Sequence, residues 1–205
     1  MKNISLFGGC EVDFKLSATQ HCNKRDIWVS GHFLNSDTYF SLLVTPAGVS
    51  TIPVTFNGNY VLANNLVTGF YNKFGNIKIA AAGNKLAASF PLANFTELFD
   101  FNNATGIGSN LKIIETIPPT SDTIYIPGRI YSYGPQSVEF APSGKFLYIN
   151  SYFDFDGNGD VEAYFFQYDA TLPTQIAVQN SQYYYGYIEN KVGKAMQIAN
   201  NANCI

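Results

Sequence analysis

The densest run of cation-type ligands in the chain is Asp154-Phe155-Asp156-Gly157-Asn158-Gly159-Asp160-Val161-Glu162. Oxygen donors at every second position, with glycines that let the backbone wrap tightly, are what a Ca²⁺ loop requires. The run meets the first half of the EF-hand pattern, but its twelfth position is Phe165 in place of the bidentate glutamate, and strand-like sequence flanks it on both sides. Two readings stand. In one, Asp154, Asp156, Asn158, Asp160 and Glu162 hold Ca²⁺ within a hairpin; in the other, the run is a solvated Asp/Asn/Gly turn.

Other chemistry is thinner. Cys10, His21, Cys22 and His32 fit no usual zinc spacing, and adjacent His21 and Cys22 would point to opposite faces of a strand. With only two histidines, a Ser-His-Asp site would have to use His21 or His32, and no G-x-S-x-G elbow is present. Paired acids of the glycosidase kind need converging carboxylates, which a sequence does not display. Tyr183-Tyr184-Tyr185 and Tyr187 could stack on sugars, although such runs more often alternate between the core and the rim of a strand. Walker A and Rossmann glycine patterns are absent, so nucleotide binding has no support.

The elements that must position these residues are strands. Of 205 residues, 16% are aromatic and only 13% charged, a composition that favours strands and tight turns over long helices. Net charge is −3 and the 12 Lys and Arg are scattered, which argues against nucleic acid as a partner. No apolar run approaches the roughly 18 residues of a membrane span. Residues 1–9 lack an apolar core long enough for a secretory signal. Three cysteines, Cys10, Cys22 and Cys204, leave the disulfide state open.

Internal repetition organises the rest. GNIKIAAAGNKLAAS at 75–89 resembles QSVEFAPSGKFLYINS at 136–151, and aligning Gly83 with Gly144 pairs Ile77 with Val138, Ile79 with Phe140 and Leu86 with Leu147. Each copy reads as an alternating strand, a glycine turn and a second apolar strand. Glu97–Asn102 resembles Tyr164–Asp169 at an offset of 67 (101 to 168), which places six extra residues in the 154–160 loop. A weaker copy lies at Asp26–Ser30 and Tyr39–Thr45 with the turn Pro46-Ala47-Gly48, and Ala195–Ala199 matches Ser137–Ala141. Units of about 60 residues with about four short strands each are the signature of propeller blades. The expectation is an all-β chain forming a partial β-propeller: a single incomplete domain over 1–205, with antiparallel blades near 15–68, 69–128 and 129–183 and a partial fourth at 184–205. A propeller closes with four blades or more, so the chain reads either as a fragment whose remaining blades are missing or as a domain completed by something outside it.

The blocks His21–Val29 with His32 and Phe40–Val49, then Lys78–Ala87 with Glu97–Gly106, then Tyr133-Gly134 with Ser137–Tyr148, resemble successive blades of propellers in secreted Bacteroidetes surface proteins. Those proteins often end in a gliding-motility-associated or type IX secretion domain. The resemblance implies an extracellular or cell-surface address, and assigns His21, Asp26, Trp28 and His32 to blade packing and hydrogen bonding. It carries no general enzymatic role. The functional expectation is therefore a non-enzymatic binding or scaffolding module presenting loops to a protein or glycan. Alternatives are a polysaccharide-active enzyme propeller, which needs converging carboxylates, and a purely structural spacer.

Overall fold

Alternation of apolar and small polar residues around glycine turns builds hairpin after hairpin. In a computed structural model, which describes residues 6–7, 11–59, 74–116, 131–154 and 162–188, these hairpins assemble into three antiparallel sheets. The first contains β1 (Val12–Gln20), β2 (Ile27–Phe33) and β3 (Thr38–Thr45). Along the outer edge of β3 run β4 (Gly48–Val49) and β5 (Val54–Asn57), which together form an interrupted fourth strand. The second contains β6 (Ile77–Ile79), β7 (Lys85–Phe90), β8 (Phe95–Asn102) and β9 (Ile107–Glu115). The third contains β10 (Tyr131–Phe140), β11 (Phe146–Asp154), β12 (Glu162–Asp169) and β13 (Tyr183–Ile188). Each sheet follows chain order, the arrangement of propeller blades.

The two aligned turns have the same construction. Gly83 and Gly144 take φ of +67° and +71°, a region open to glycine, and each donates its N–H three residues back, to Ala80 and Ala141. Pairing puts Ile79 opposite Leu86 and Phe140 opposite Leu147. For the next strand the repeat is two residues longer than the residue-type alignment suggests. Leu86 faces Phe99 and Leu147 faces Tyr168, so the equivalent pair is 69 positions apart (99 to 168). A two-residue slip leaves every side chain on its own face, which is why composition does not reveal it.

Two apolar cores hold the sheets together. Between the first and second lie Trp28, Tyr39, Phe56, Ile77, Leu86, Phe90 and Phe99; between the second and third lie Leu98, Ile114, Val138, Leu147, Ile149, Phe166 and Tyr168. After β12 a short helix, α1 (Gln175–Asn180), starts with Thr174 as its N-cap. Its side chains cover the outer edge of β9: Gln175 Oε1 accepts from the Ile113 N–H, and Gln179 both accepts from and donates to the Glu115 backbone. Glutamines here take the role of a missing strand and blunt an open edge. Tyr183–Ile188 pairs with β12 and completes the third sheet.

Candidate functional site

The first strand inverts the usual burial pattern. In Val12-Asp13-Phe14-Lys15-Leu16, Phe14 and Leu16 are 71% and 60% exposed while Asp13 and Lys15 are buried against the second sheet. Opposite them β2 contributes His32, β3 contributes Tyr39 directly across from His32, and β8 contributes Glu97. None of these five polar side chains exceeds 4% exposure. They meet at the sheet end where β1 begins, β2 and β7 finish, and β3 and β8 start.

Asp13 is the hub. Its Oδ2 lies 2.6 Å from Lys15 Nζ and 3.0 Å from His32 Nδ1, and its Oδ1 accepts the Lys15 backbone N–H at 2.9 Å. A carboxylate only accepts, so the hydrogen on His32 Nδ1 faces Asp13 Oδ2 and Nε2 is the ring nitrogen turned away from it. Tyr39 and Phe90 flank that ring at 4.8 and 5.3 Å, and Lys15 Nζ stands 4.7 Å from the Phe90 centroid. Glu97 accepts the Tyr39 hydroxyl at 2.6 Å and the Asn59 N–H at 2.7 Å.

Burial governs the titration of this group. It pulls the Lys15 ammonium below its ordinary range, against the opposing pull of Asp13 and Glu97. It pushes Glu97 up, although the Tyr39 and Asn59 hydrogen bonds favour the ionised form, and it pushes the Tyr39 phenol well up, with Glu97 adding to the effect. An aspartate fixing the tautomer of a histidine beside a cation is the arrangement of an acid–base centre.

The residues singled out from sequence scatter around this cluster. His32 belongs to it. His21 and Cys22 lie in the β1–β2 turn at the far end of β2, where His21 Nδ1 accepts the Asn23 N–H and the exposed Cys22 sulfur is 3.7 Å from the same nitrogen. Asp26, in that turn, is hydrogen-bonded to Asn23 and Arg25. Cys10 and Cys204 lie outside the described residues. Asp154 ends β11 and Glu162 opens β12, where Glu162 accepts a hydrogen bond from the Tyr164 hydroxyl; Asp156, Asn158 and Asp160 lie outside the described residues. In the tyrosine run, Tyr184 packs on the third-sheet core while Tyr183 and Tyr185 are exposed, their rings 4.8 Å apart. Sequence reasoning missed Asp13, Lys15, Tyr39 and Glu97. The available signal was the pair of opposite charges, Asp13 and Lys15, two residues apart and alternating with Val12, Phe14 and Leu16. Among the described residues, no helix is long and apolar enough to cross a membrane.

No protein-family model matches the chain, and no curated protein matches it significantly. Solved structures do. A candidate 6-phosphogluconolactonase from Bacteroides uniformis is 15% identical, with a TM-score of 0.46, over 91% of this chain and 47% of that one. A second, from Bacteroides fragilis, is 13% identical with a TM-score of 0.45, over 89% and 45%. The Kuenenia stuttgartiensis hydrazine synthase follows at 13% identity and a TM-score of 0.35. The chain thus spans less than half the length of each of these proteins. The likeness is one of fold, in keeping with partial propeller blades. Against the expectation of a non-enzymatic binding or scaffolding module, the first two of these neighbours are described as candidate enzymes, 6-phosphogluconolactonases.

Proposed function

We propose that this chain is part of a hydrolytic propeller whose acid–base centre is the Asp13–His32 pair, acting on an ester or lactone bond of a carbohydrate-derived substrate. The observation that carries the reading is the sharing of Asp13 Oδ2 between Lys15 Nζ and His32 Nδ1. In the proposed step, His32 Nε2 takes a proton from water as the water oxygen bonds to the acyl carbon. The carbonyl π electrons move onto oxygen, where the nearby Lys15 ammonium offsets the developing charge. Collapse of that intermediate breaks the acyl C–O bond, and the proton on Nε2 passes to the departing alkoxide. Glu97 and Tyr39 belong to the same buried cluster. The centre is closed in the described structure, so the reading requires the sheet end beside Gly58 and Asn59 to open for substrate. Following the resemblance to Bacteroidetes surface propellers, the proposal places the protein at the cell surface or outside the cell, which fractionation tests.

The test is hydrolysis of a panel of sugar lactones, with and without phosphate, followed by proton release, and of polysaccharides followed by reducing ends. Activity lost in His32→Gln, in a variant that keeps its fold, supports the proposal; an inactive panel or a fully active His32→Gln refutes it. The burial of all five groups favours a second reading, in which the cluster is a structural latch between the first two sheets. Under that reading, substitutions lower stability and no substrate of the panel is turned over.

A further inference from the structure

One short run, repeated in each sheet, shows how the sheets are joined. Ile27-Trp28-Val29-Ser30 of β2, Leu86-Ala87-Ala88-Ser89 of β7 and Leu147-Tyr148-Ile149-Asn150 of β11 hold the same place, their first residues pairing with Gln20, Ile79 and Phe140 of the inner strands. Alternation sends the first and third residues of each run to one face and the second to the other. Leu86 and Ala88 lie against the first sheet and Leu147 and Ile149 against the second, all fully buried. Their counterparts in the first sheet differ: Ile27 is 44% exposed and Val29 half-buried, and the exposed Phe14 and Leu16 share that face. On the opposite faces, Trp28 is buried against the second sheet and Ala87 against the third. Their counterpart Tyr148 is half-buried, in a cross-strand row with Gln167 and Tyr183, and Tyr183 and Tyr185 are each 57% exposed. Polar groups beside these rings are already engaged. Tyr185 donates its hydroxyl to Gln167 Oε1 at 2.8 Å, and Glu139, opposite Tyr148, meets Lys78 at 2.9 Å. What this face offers outward is ring surface, which suits an apolar partner.

We propose that the two faces are halves of one joint and that a second copy of this chain completes it, the Ile27 face of each copy packing on the Tyr148–Tyr185 face of the other. The same joint is made twice within a single chain, between the first and second sheets and between the second and third, so the pairing continues an interface already present. A second copy supplies both missing halves at the same repeat positions. The contact is then formed twice per pair, and the closed ring holds six sheets, three from each copy, within the range of propellers. Such a ring covers both apolar faces at once, whereas association through one face leaves the other open. This inference is independent of the hydrolytic reading, whose centre lies between the first and second sheets.

Size-exclusion chromatography with light scattering on the full chain tests it. The unmodified protein should elute with the mass of two copies at micromolar concentration. Ile27→Lys and Tyr185→Lys, one on each face, should each weaken self-association at least roughly thirty-fold, the effect of losing one central interface contact. Mixed in equal amounts, the two variants should pair again, because one of the two contacts then has both halves intact. Circular dichroism and a cooperative melt report folding; Leu16→Lys or Tyr183→Lys, on the same faces, replaces a variant that fails to fold. A chain that stays single at every concentration overturns the proposal. So does a folded variant that pairs as tightly as the unmodified chain, since the contact would then use one face only. A mass that climbs beyond two copies with concentration, or a mixture of the variants that stays single, overturns it equally.

Discussion

Replacing Lys15 by methionine isolates the energetics of the buried group. Methionine keeps most of the apolar stem and removes the charge 2.6 Å from Asp13 Oδ2, leaving a buried carboxylate without its ammonium. Removing one partner of a buried ion pair costs about 3–5 kcal/mol, because the remaining charge keeps its desolvation penalty. For a chain of this length each kcal/mol lowers the melting midpoint by roughly 2–4 °C, so Lys15→Met should lower it on the order of 10 °C. Asp13→Asn should do similarly, while the double variant should recover at least about 2 kcal/mol relative to the sum of the singles. Urea unfolding followed by fluorescence of Trp28 gives the free energies directly. Trp28 is the sole tryptophan, is 5% exposed, and donates its indole N–H to the Asn103 carbonyl at 2.9 Å in the same intersheet region. A single-variant loss below about 1 kcal/mol, as for an exposed pair, or strict additivity in the cycle would refute a buried and mutually dependent Asp13–Lys15 pair.

Other perturbations have equally definite outcomes. Glu97 is held above its ordinary 4.5, so between that value and its folded pKa the native state binds more protons and stability falls as pH rises; Glu97→Gln should remove that slope in a pH series of urea midpoints. Lys15 is held below its ordinary 10.5, so between its folded pKa and 10.5 the unfolded chain binds more protons and stability rises with pH, a slope that should vanish in Lys15→Met. At Gly106, φ is +75° and an added Cβ would stand 2.9 Å from the Trp28 ring, so Gly106→Ala should destabilise by about 1–3 kcal/mol and shift the Trp28 emission. Calcium binding by Asp154, Asp156, Asn158, Asp160 and Glu162 would raise the thermal midpoint in millimolar Ca²⁺ over that in excess EDTA, and coincident curves would reject it.

Much of the blade architecture was legible in sequence because hairpins are local. Strand alternation and a glycine at a position requiring positive φ lie within some 15 residues, so the correspondence of Ile77, Ile79 and Leu86 with Val138, Phe140 and Leu147 emerged from residue types alone. The length of the second hairpin was less visible, since a two-residue slip preserves the inward and outward faces.

The candidate site was the part sequence concealed. Alternation in Val12–Leu16 establishes that two faces differ, but not which face another sheet will cover. By itself the pattern sends Asp13 and Lys15 to solvent and Phe14 and Leu16 inward, and the tertiary structure does the reverse. Burial is decided by the neighbouring sheet, which brings Glu97 to Tyr39 across 58 positions of sequence, and a charge becomes tolerable inside only where its partners arrive with it. The sequence alone therefore determined the strands, their turns and their repetition. Which polar residues converge, and so where chemistry could occur, was settled by how the sheets pack face to face.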